Sequence, residues 1–120
     1  MRFYECTFII RQDLPAQDVH KLADKYKDLV EKMDGKVVKK EYWWLRSLAY
    51  EIKKNKKGHY IFLGLNASPD VVSKIENDFK VSEDIIKFLT IKVDSIDDRP
   101  TLMMQTPSET KDWLQWQWKI

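Results

Sequence analysis

The stretch that decides the fold spans residues 42–62 and reads YWWLRSLAYEIKKNKKGHYIF. It predicts a long strand, a lysine-rich turn and a second strand rich in aromatic residues. Apolar and polar residues alternate through Leu48, Tyr50 and Ile52, so we expect one side of the first strand to be buried. Arg46 and the lysines of the turn are then expected to point into solvent. The stretch therefore predicts a β-hairpin with one apolar side and a basic tip.

The tip of this hairpin carries four lysines within five residues, Lys53, Lys54, Lys56 and Lys57. Like charges so close together repel one another, a cost that is easier to understand if a polyanion binds there. The alternative is a merely solvated tip, because lysine often blunts exposed loops and sheet edges. The charge run by itself leaves both interpretations open.

Length and composition indicate one domain with a substantial core. The chain has 120 residues, of which 43% are hydrophobic, a size typical of a single domain. The formal net charge is only +2, so any affinity for anions has to come from local clustering. With Cys6 as the single cysteine, no intramolecular disulfide is possible, and its apolar strand context predicts a small core residue. A reducing compartment fits this cysteine usage.

Targeting and membrane signals are not recognisable in the sequence. No apolar run approaches the roughly 20 residues that a membrane-spanning helix needs. Strand-like sequence begins at Arg2, which leaves no room for a signal peptide. We therefore expect a cytoplasmic protein without membrane contact, or one in an organelle interior if a targeting segment has been removed.

Periodicity predicts six elements of secondary structure. Tyr4, Cys6, Phe8 and Ile10 alternate with less apolar residues, whereas the two helical segments show apolar spacings of three and four. In order, the predicted elements are a strand over Arg2–Arg11, a helix from Pro15 to a stop at Gly35, a strand over Lys36–Lys53, a strand over His59–Ala67, a helix opening at Ser68 and Pro69, and a strand over Ile85–Val93.

The resulting order, β-α-β-β-α-β, predicts the fold class. Two amphipathic helices both bury their apolar stripes if they share one face of a sheet. We therefore predict an α+β, ferredoxin-like domain over residues 1–94, with a four-stranded antiparallel sheet and both helices on one face. The sheet then has a helix face and a second face, which is expected to be open.

Residues 95–120 are expected to form an extended C-terminal tail. This tail contains Trp113, Trp116 and Trp118, and exposed rings of this kind favour aggregation unless a surface covers them. Either the rings fold back onto the domain, or they dock onto a partner, because tryptophan is a common interface anchor.

Signatures of catalysis are missing from the sequence. It contains no CxxC, no HExxH and no His and Cys cluster with the spacing of metal ligands. Its three glycines form no phosphate-binding loop. We therefore predict a binding protein that is not an enzyme and needs no cofactor, metal or small-molecule substrate.

The second face of the predicted sheet suggests one mode of binding. Phe3, Tyr60 and Phe62 are expected there, and exposed aromatic rings stack on bases in RNA-recognition motifs of the same element order. Residues 57–64, KGHYIFLG, keep the basic residue, the glycine and some aromatics of that motif but lack its full pattern. The alternative is that these rings face a protein partner or the C-terminal tail.

Three blocks in order resemble one known family. They are MRFYE at residues 1–5, RSLAYEI at 46–52 with the basic turn behind it, and FKVSEDII at 79–86. Over roughly residues 1–94 the chain is similar to the sixth protein of the bacterial small ribosomal subunit. The sequence alone does not separate bacterial from organellar ribosomes.

This resemblance implies a structural role. It implies binding to the central domain of small-subunit ribosomal RNA, as a heterodimer with the eighteenth small-subunit protein. By position, the expected phosphate contacts are Arg2, Arg46, Lys53, Lys54, Lys56, Lys57 and Lys92. Such contacts position a protein without reading sequence. The expected partner contacts are Phe3, Trp44, Tyr60, Phe62, Trp113, Trp116 and Trp118.

The chain departs from the family pattern at three positions of the hairpin. The family often has glycine at the position of Trp44, a basic residue at Leu45 and proline at Glu51. We expect Trp44 to enlarge an apolar contact with a neighbouring protein. Two other functions remain open at this point: a free-standing module that binds single-stranded RNA on the second face, and a domain that binds only proteins.

Overall fold

The computed structural model describes residues 2–97 and 99–100. Its elements follow the predicted order: β1 (Arg2–Arg11), α1 (Ala16–Lys32), β2 (Lys36–Ile52), β3 (Asn55–Ala67), α2 (Pro69–Val81) and β4 (Ile85–Val93). The strands form one sheet in the order β2-β3-β1-β4, and all neighbours are antiparallel. The ferredoxin-like α+β prediction is confirmed. No helix among the described residues is long and apolar enough to cross a membrane.

The main core lies between the helix face of the sheet and the two helices. At its centre, the ring of Phe8 lies 5.5 Å from that of Tyr26 and 4.8 Å from that of Phe79. Cys6 is buried in the same core, as predicted, and burial raises the pKa of its thiol to about 12. The thiol is therefore uncharged and unreactive at neutral pH.

The residue that ends helix α1 is not the predicted Gly35. Asp34, not Gly35, takes the left-handed conformation, with φ of 66°. The amide of Asp34 donates to the carbonyl of Glu31 at 3.2 Å, and that of Gly35 to the carbonyl of Val30 at 2.9 Å. These two bonds close the helix. Gly35 is needed for space instead, because a Cβ there would lie 2.8 Å from a methyl group of Val30.

The turn of the long hairpin is shorter than predicted. Lys53 and Lys54 alone form it, with φ values of 48° and 67°, and Ile52 pairs with Asn55 across it. Two successive residues of positive φ give a turn whose twist matches that of the flanking strands. The prediction that Lys53 closes the strand was therefore wrong, and β3 begins at Asn55 instead of His59.

Candidate nucleic-acid and partner interface

Asn55 fixes the basic tip of the hairpin to the body of the domain. Its side-chain amide nitrogen donates to the carbonyls of Ile52 at 3.3 Å and Lys53 at 3.0 Å. Its side-chain oxygen accepts a hydrogen bond of 3.0 Å from the backbone N–H of Gln12, in the loop after β1. Asn55 is buried and was missed in the sequence, although Asn beside a turn is a known signal for such local bonding.

The four lysines of the tip, Lys53, Lys54, Lys56 and Lys57, are all exposed. Lysines elsewhere are engaged: Lys25 lies 3.5 Å from a carboxylate oxygen of Asp78, and Lys40 forms an ion pair with Asp24. Within residues 2–97 and 99–100, no ion pair involves any of the four tip lysines. The tip therefore presents unneutralised positive charge on a fixed backbone.

Arg2 and Lys92 lie at the opposite end of the sheet. Lys92 pairs with Tyr4, the second neighbour of Arg2 along β1, so both cations are close to the start of that strand. The basic tip lies beyond Arg11, at the other end of the same ten-residue strand. At the usual rise per residue, the two groups are about 30 Å apart. The six exposed residues among the seven predicted phosphate contacts thus form two separate clusters.

Arg46 does not point into solvent, and that prediction was wrong. The residue is 9% exposed, its Nε donates to the carbonyl of Trp43 at 2.5 Å, and burial lowers the pKa of its guanidinium. Strand alternation puts Arg46 on the same side of β2 as Leu48 and Ile52, which pack on the second face. A register shift between Tyr42 and Leu45 adds one residue to β2, so that Trp43 shares this side as well. Arg46 pairs with Gly58 of β3.

Trp44 occupies this bulge in the left-handed conformation, with φ of 67°. That conformation favours glycine, which explains why the resembling family often has glycine there. The indole of Trp44 is 38% exposed, and the guanidinium carbon of Arg46 lies 5.9 Å from its ring centroid. Its exposure fits a partner contact, a role that stays a prediction.

The aromatic residues of the second face are covered, contrary to expectation. Tyr60 and Phe62 are 2% and 4% exposed. Trp43 stacks on Phe62 with ring centroids 5.2 Å apart, and its indole N–H donates to Glu41 at 2.7 Å. Leu48 and Ile52, from the far end of β2, pack on the same cluster, whereas Tyr50 is exposed. Phe3, at the other end, is half-buried.

Another part of the second face, around Lys39 and Gly64, lies under residues 94–97 and 99–100, which we call the C-terminal strap. The ammonium of Lys39 donates to the carbonyls of Asp97 at 2.7 Å and Arg99 at 2.5 Å. Ile96 packs on Gly64, where a Cβ would lie 3.0 Å from the Ile96 Cδ1 atom. The chain therefore crosses the sheet from β4 to β2. The predicted contacts Trp113, Trp116 and Trp118 lie outside the described residues.

Comparisons with known proteins agree over the whole domain. Residues 3–92 match the family described as ribosomal protein S6. The small ribosomal subunit protein bS6 of Rickettsia canadensis is 49% identical over 108 residues, covering 90% of this chain and 89% of that protein. Its counterpart in Rickettsia felis is 48% identical with the same coverage.

A solved structure supports the same assignment. The crystal structure of 30S ribosomal protein S6 from Thermotoga maritima superposes with a TM-score of 0.72 at 31% identity. The match covers 77% of this chain and 87% of the Thermotoga chain. Sequence and fold thus point to the same relatives.

Proposed function

The chain belongs to the ribosomal protein S6 family, and on that premise we propose that it binds the central domain of small-subunit ribosomal RNA jointly with the eighteenth small-subunit protein. Membership makes it a structural protein of the bacterial small ribosomal subunit, located in the cytoplasmic ribosome, and not an enzyme. The RNA region and the protein partner are the parts proposed.

The observation that carries the proposal is the rigid basic tip. Its lysines have no carboxylate partner among the described residues, and Asn55 ties the turn to the loop after β1. Fixed, unneutralised cations suit the phosphate backbone, because each phosphate contact releases condensed counterions. A net charge of only +2 favours weak RNA binding by this protein alone and leaves a share of the affinity to the partner.

A salt titration of RNA binding tests the proposal. The full chain is titrated with a central-domain RNA fragment at several salt concentrations, with and without the eighteenth small-subunit protein. We expect tight, salt-sensitive binding only when the partner is present. Lys54→Ala should lower the slope of log affinity against log salt by about 0.7–0.9, the value of one phosphate contact.

Lys74→Ala serves as the matched control, because it removes the same charge from an exposed site on α2. Equal binding to any single-stranded RNA, indifferent to the partner, would overturn the joint-binding proposal. Salt-insensitive binding to the partner, with none to RNA, would instead indicate a protein-interaction domain. Arg46→Ala is a poor test, because truncating a buried side chain also changes stability.

A further inference from the structure

A groove without carboxylates opens beside the basic tip, where the hairpin turn, the end of α2 and the start of β4 meet. Its lining consists of three lysines and four apolar residues: Lys53, Lys80, Lys87, Phe79, Ile85, Ile86 and Phe88. We propose that this groove holds one unpaired nucleotide of RNA, with the base on the apolar floor and the flanking phosphates on the lysines. The inference rests on the proposed function and adds a second contact to it.

The charge of the groove selects a polyanion. Lys53, Lys80 and Lys87 reach it from three different elements, and no acidic side chain is part of its lining. The neighbouring groove on the other side of Lys53 is different, because Asp13 and Glu83 line it together with Arg11. Of these two grooves, the first therefore suits a phosphodiester better, because its lining holds lysines and no acidic side chain.

One of the three cations is held in place before any ligand arrives, and the backbone that carries a second is fixed. Asn55 donates to the carbonyl of Lys53 at 3.0 Å and so fixes the backbone that carries this lysine. The ammonium of Lys87 bonds to the hydroxyl of Tyr50 and lies 5.0 Å from its ring centroid. Cations that are already ordered lose less side-chain entropy when a phosphate binds. The arrangement resembles a site more than a solvated lysine patch.

Phe88 is the one apolar residue of the lining that is partly exposed and could contact a base. Phe88 is half-buried and supported from below by Phe79, with ring centroids 5.2 Å apart. A basic rim that tracks the backbone and an aromatic floor that stacks on bases are the two parts of sites for single-stranded nucleic acid. Stacking accepts every base, so the groove should bind an unpaired nucleotide with little sequence preference.

The test uses the full chain with the eighteenth small-subunit protein and the central-domain RNA fragment. Lys80→Ala and Lys87→Ala should each reduce the salt slope by about 0.7, the single-strand value for one contact. Lys74→Ala, an exposed lysine six residues earlier than Lys80 on the same helix, should leave the slope unchanged. Phe88→Leu should weaken binding about tenfold without changing the slope, because it removes stacking and no charge.

Crosslinking of the unmutated protein is a second test, and it does not depend on how well the variants fold. RNA containing 4-thiouridine is crosslinked to the unmutated protein, and the adducts are mapped by mass spectrometry. We expect adducts within residues 79–88. If Lys80→Ala and Lys87→Ala behave like Lys74→Ala and no adducts map there, the groove proposal is overturned while the basic tip stands. If Lys54→Ala also has no effect, both proposals fail together.

Discussion

The two faces of the sheet are buried by different means. On the helix face, regular apolar stripes of two helices meet β1 and β3, and Phe8 lies at the centre. On the second face, the cover comes from the far end of the hairpin and from the C-terminal strap, which depends on Lys39. Because the helix face is extensively packed, it should be exposed only when the whole domain unfolds. The few local contacts that cover the second face should allow that cover to open separately.

The largest expected effect lies on the helix face. Phe8→Ala removes a fully buried ring that contacts both Tyr26 and Phe79, so we expect a loss of about 3–5 kcal/mol in the free energy of unfolding. Phe62→Ala is the matched change on the second face, where the hairpin can settle into the space and the loss should be smaller. Urea denaturation of both variants measures the difference; an equal loss would contradict the comparison.

Gly58 and Gly64 of β3 lie under the two segments that cover the second face, Gly58 near Leu48 of the hairpin and Gly64 near Ile96 of the strap. A Cβ at Gly58 would lie 2.2 Å from Ile9 Cγ2, a methyl group on a stiff β-branched side chain. Gly58→Ala should therefore cost about 1–3 kcal/mol through overpacking. At Gly64 the contacts would be longer, 3.0 Å to Ile96 Cδ1 and 3.1 Å to Ile96 Cγ2 and Lys39 Cβ, so shifts of a few tenths of an ångström would relieve them.

Gly64→Ala should consequently reduce the free energy of unfolding by less than Gly58→Ala does, and it should loosen mainly the strap. Thermal melts of the two glycine variants give the global effect, and amide exchange of residues 94–97 gives the local one. If Gly64→Ala proved the more damaging substitution, the strap would have to be part of the cooperative core.

The helix face could be predicted from the sequence because its pattern is periodic. The stripe of α2 through Val72, Ile75 and Phe79, and the alternation of β1, both appear where expected. A regular spacing of apolar residues indicates which side of a helix or strand is buried, provided that its geometry is regular. On the helix face, the helices and strands that form the core meet this condition.

The second face could not be predicted because one irregular residue reverses its pattern. Trp44 carries no sign of a bulge in its side chain, yet the bulge puts Trp43 and Arg46, three residues apart, on the same side of β2, where both are buried. The strap was equally hidden, since its hold on the sheet uses backbone carbonyls, which every sequence possesses. The basic tip was found because charge clustering is visible without knowledge of the register.

Lys39 offers a sharper test of the strap. Lys39→Met keeps the length of the side chain but removes the donor to the carbonyls of Asp97 and Arg99 and the ion-pair partner of Glu41, 3.9 Å away, at a cost of at least about 1–2 kcal/mol. Amides of residues 94–97 should exchange faster, while core amides keep their protection. Burial raises the pKa of the Glu5 carboxyl and Lys39 partly lowers it, so this pKa should rise further and be measurable by NMR titration.

Lys40→Met is the control, because this neighbouring lysine pairs with Asp24 on α1 instead of the strap. It should leave both the exchange of residues 94–97 and the pKa of Glu5 unchanged. Identical behaviour of the two variants would mean that the strap does not depend on the ammonium of Lys39.

The smallest expected effect is a gain in the free energy of unfolding, and it concerns Trp44 in the bulge. An L-residue in the left-handed conformation costs about 1–2 kcal/mol, and Trp44 offsets part of this through its contact with Arg46. Trp44→Gly should therefore stabilise the domain by at most about 1 kcal/mol. Leu45→Gly is the control, at an exposed position of ordinary backbone, and it should destabilise the domain by about 0.5–1 kcal/mol.

Thermal melts compare the two variants; a lower melting temperature for Trp44→Gly would show that ring packing outweighs the strain. If the variant is more stable yet binds the eighteenth small-subunit protein less well, the strained ring serves the interface and not the fold.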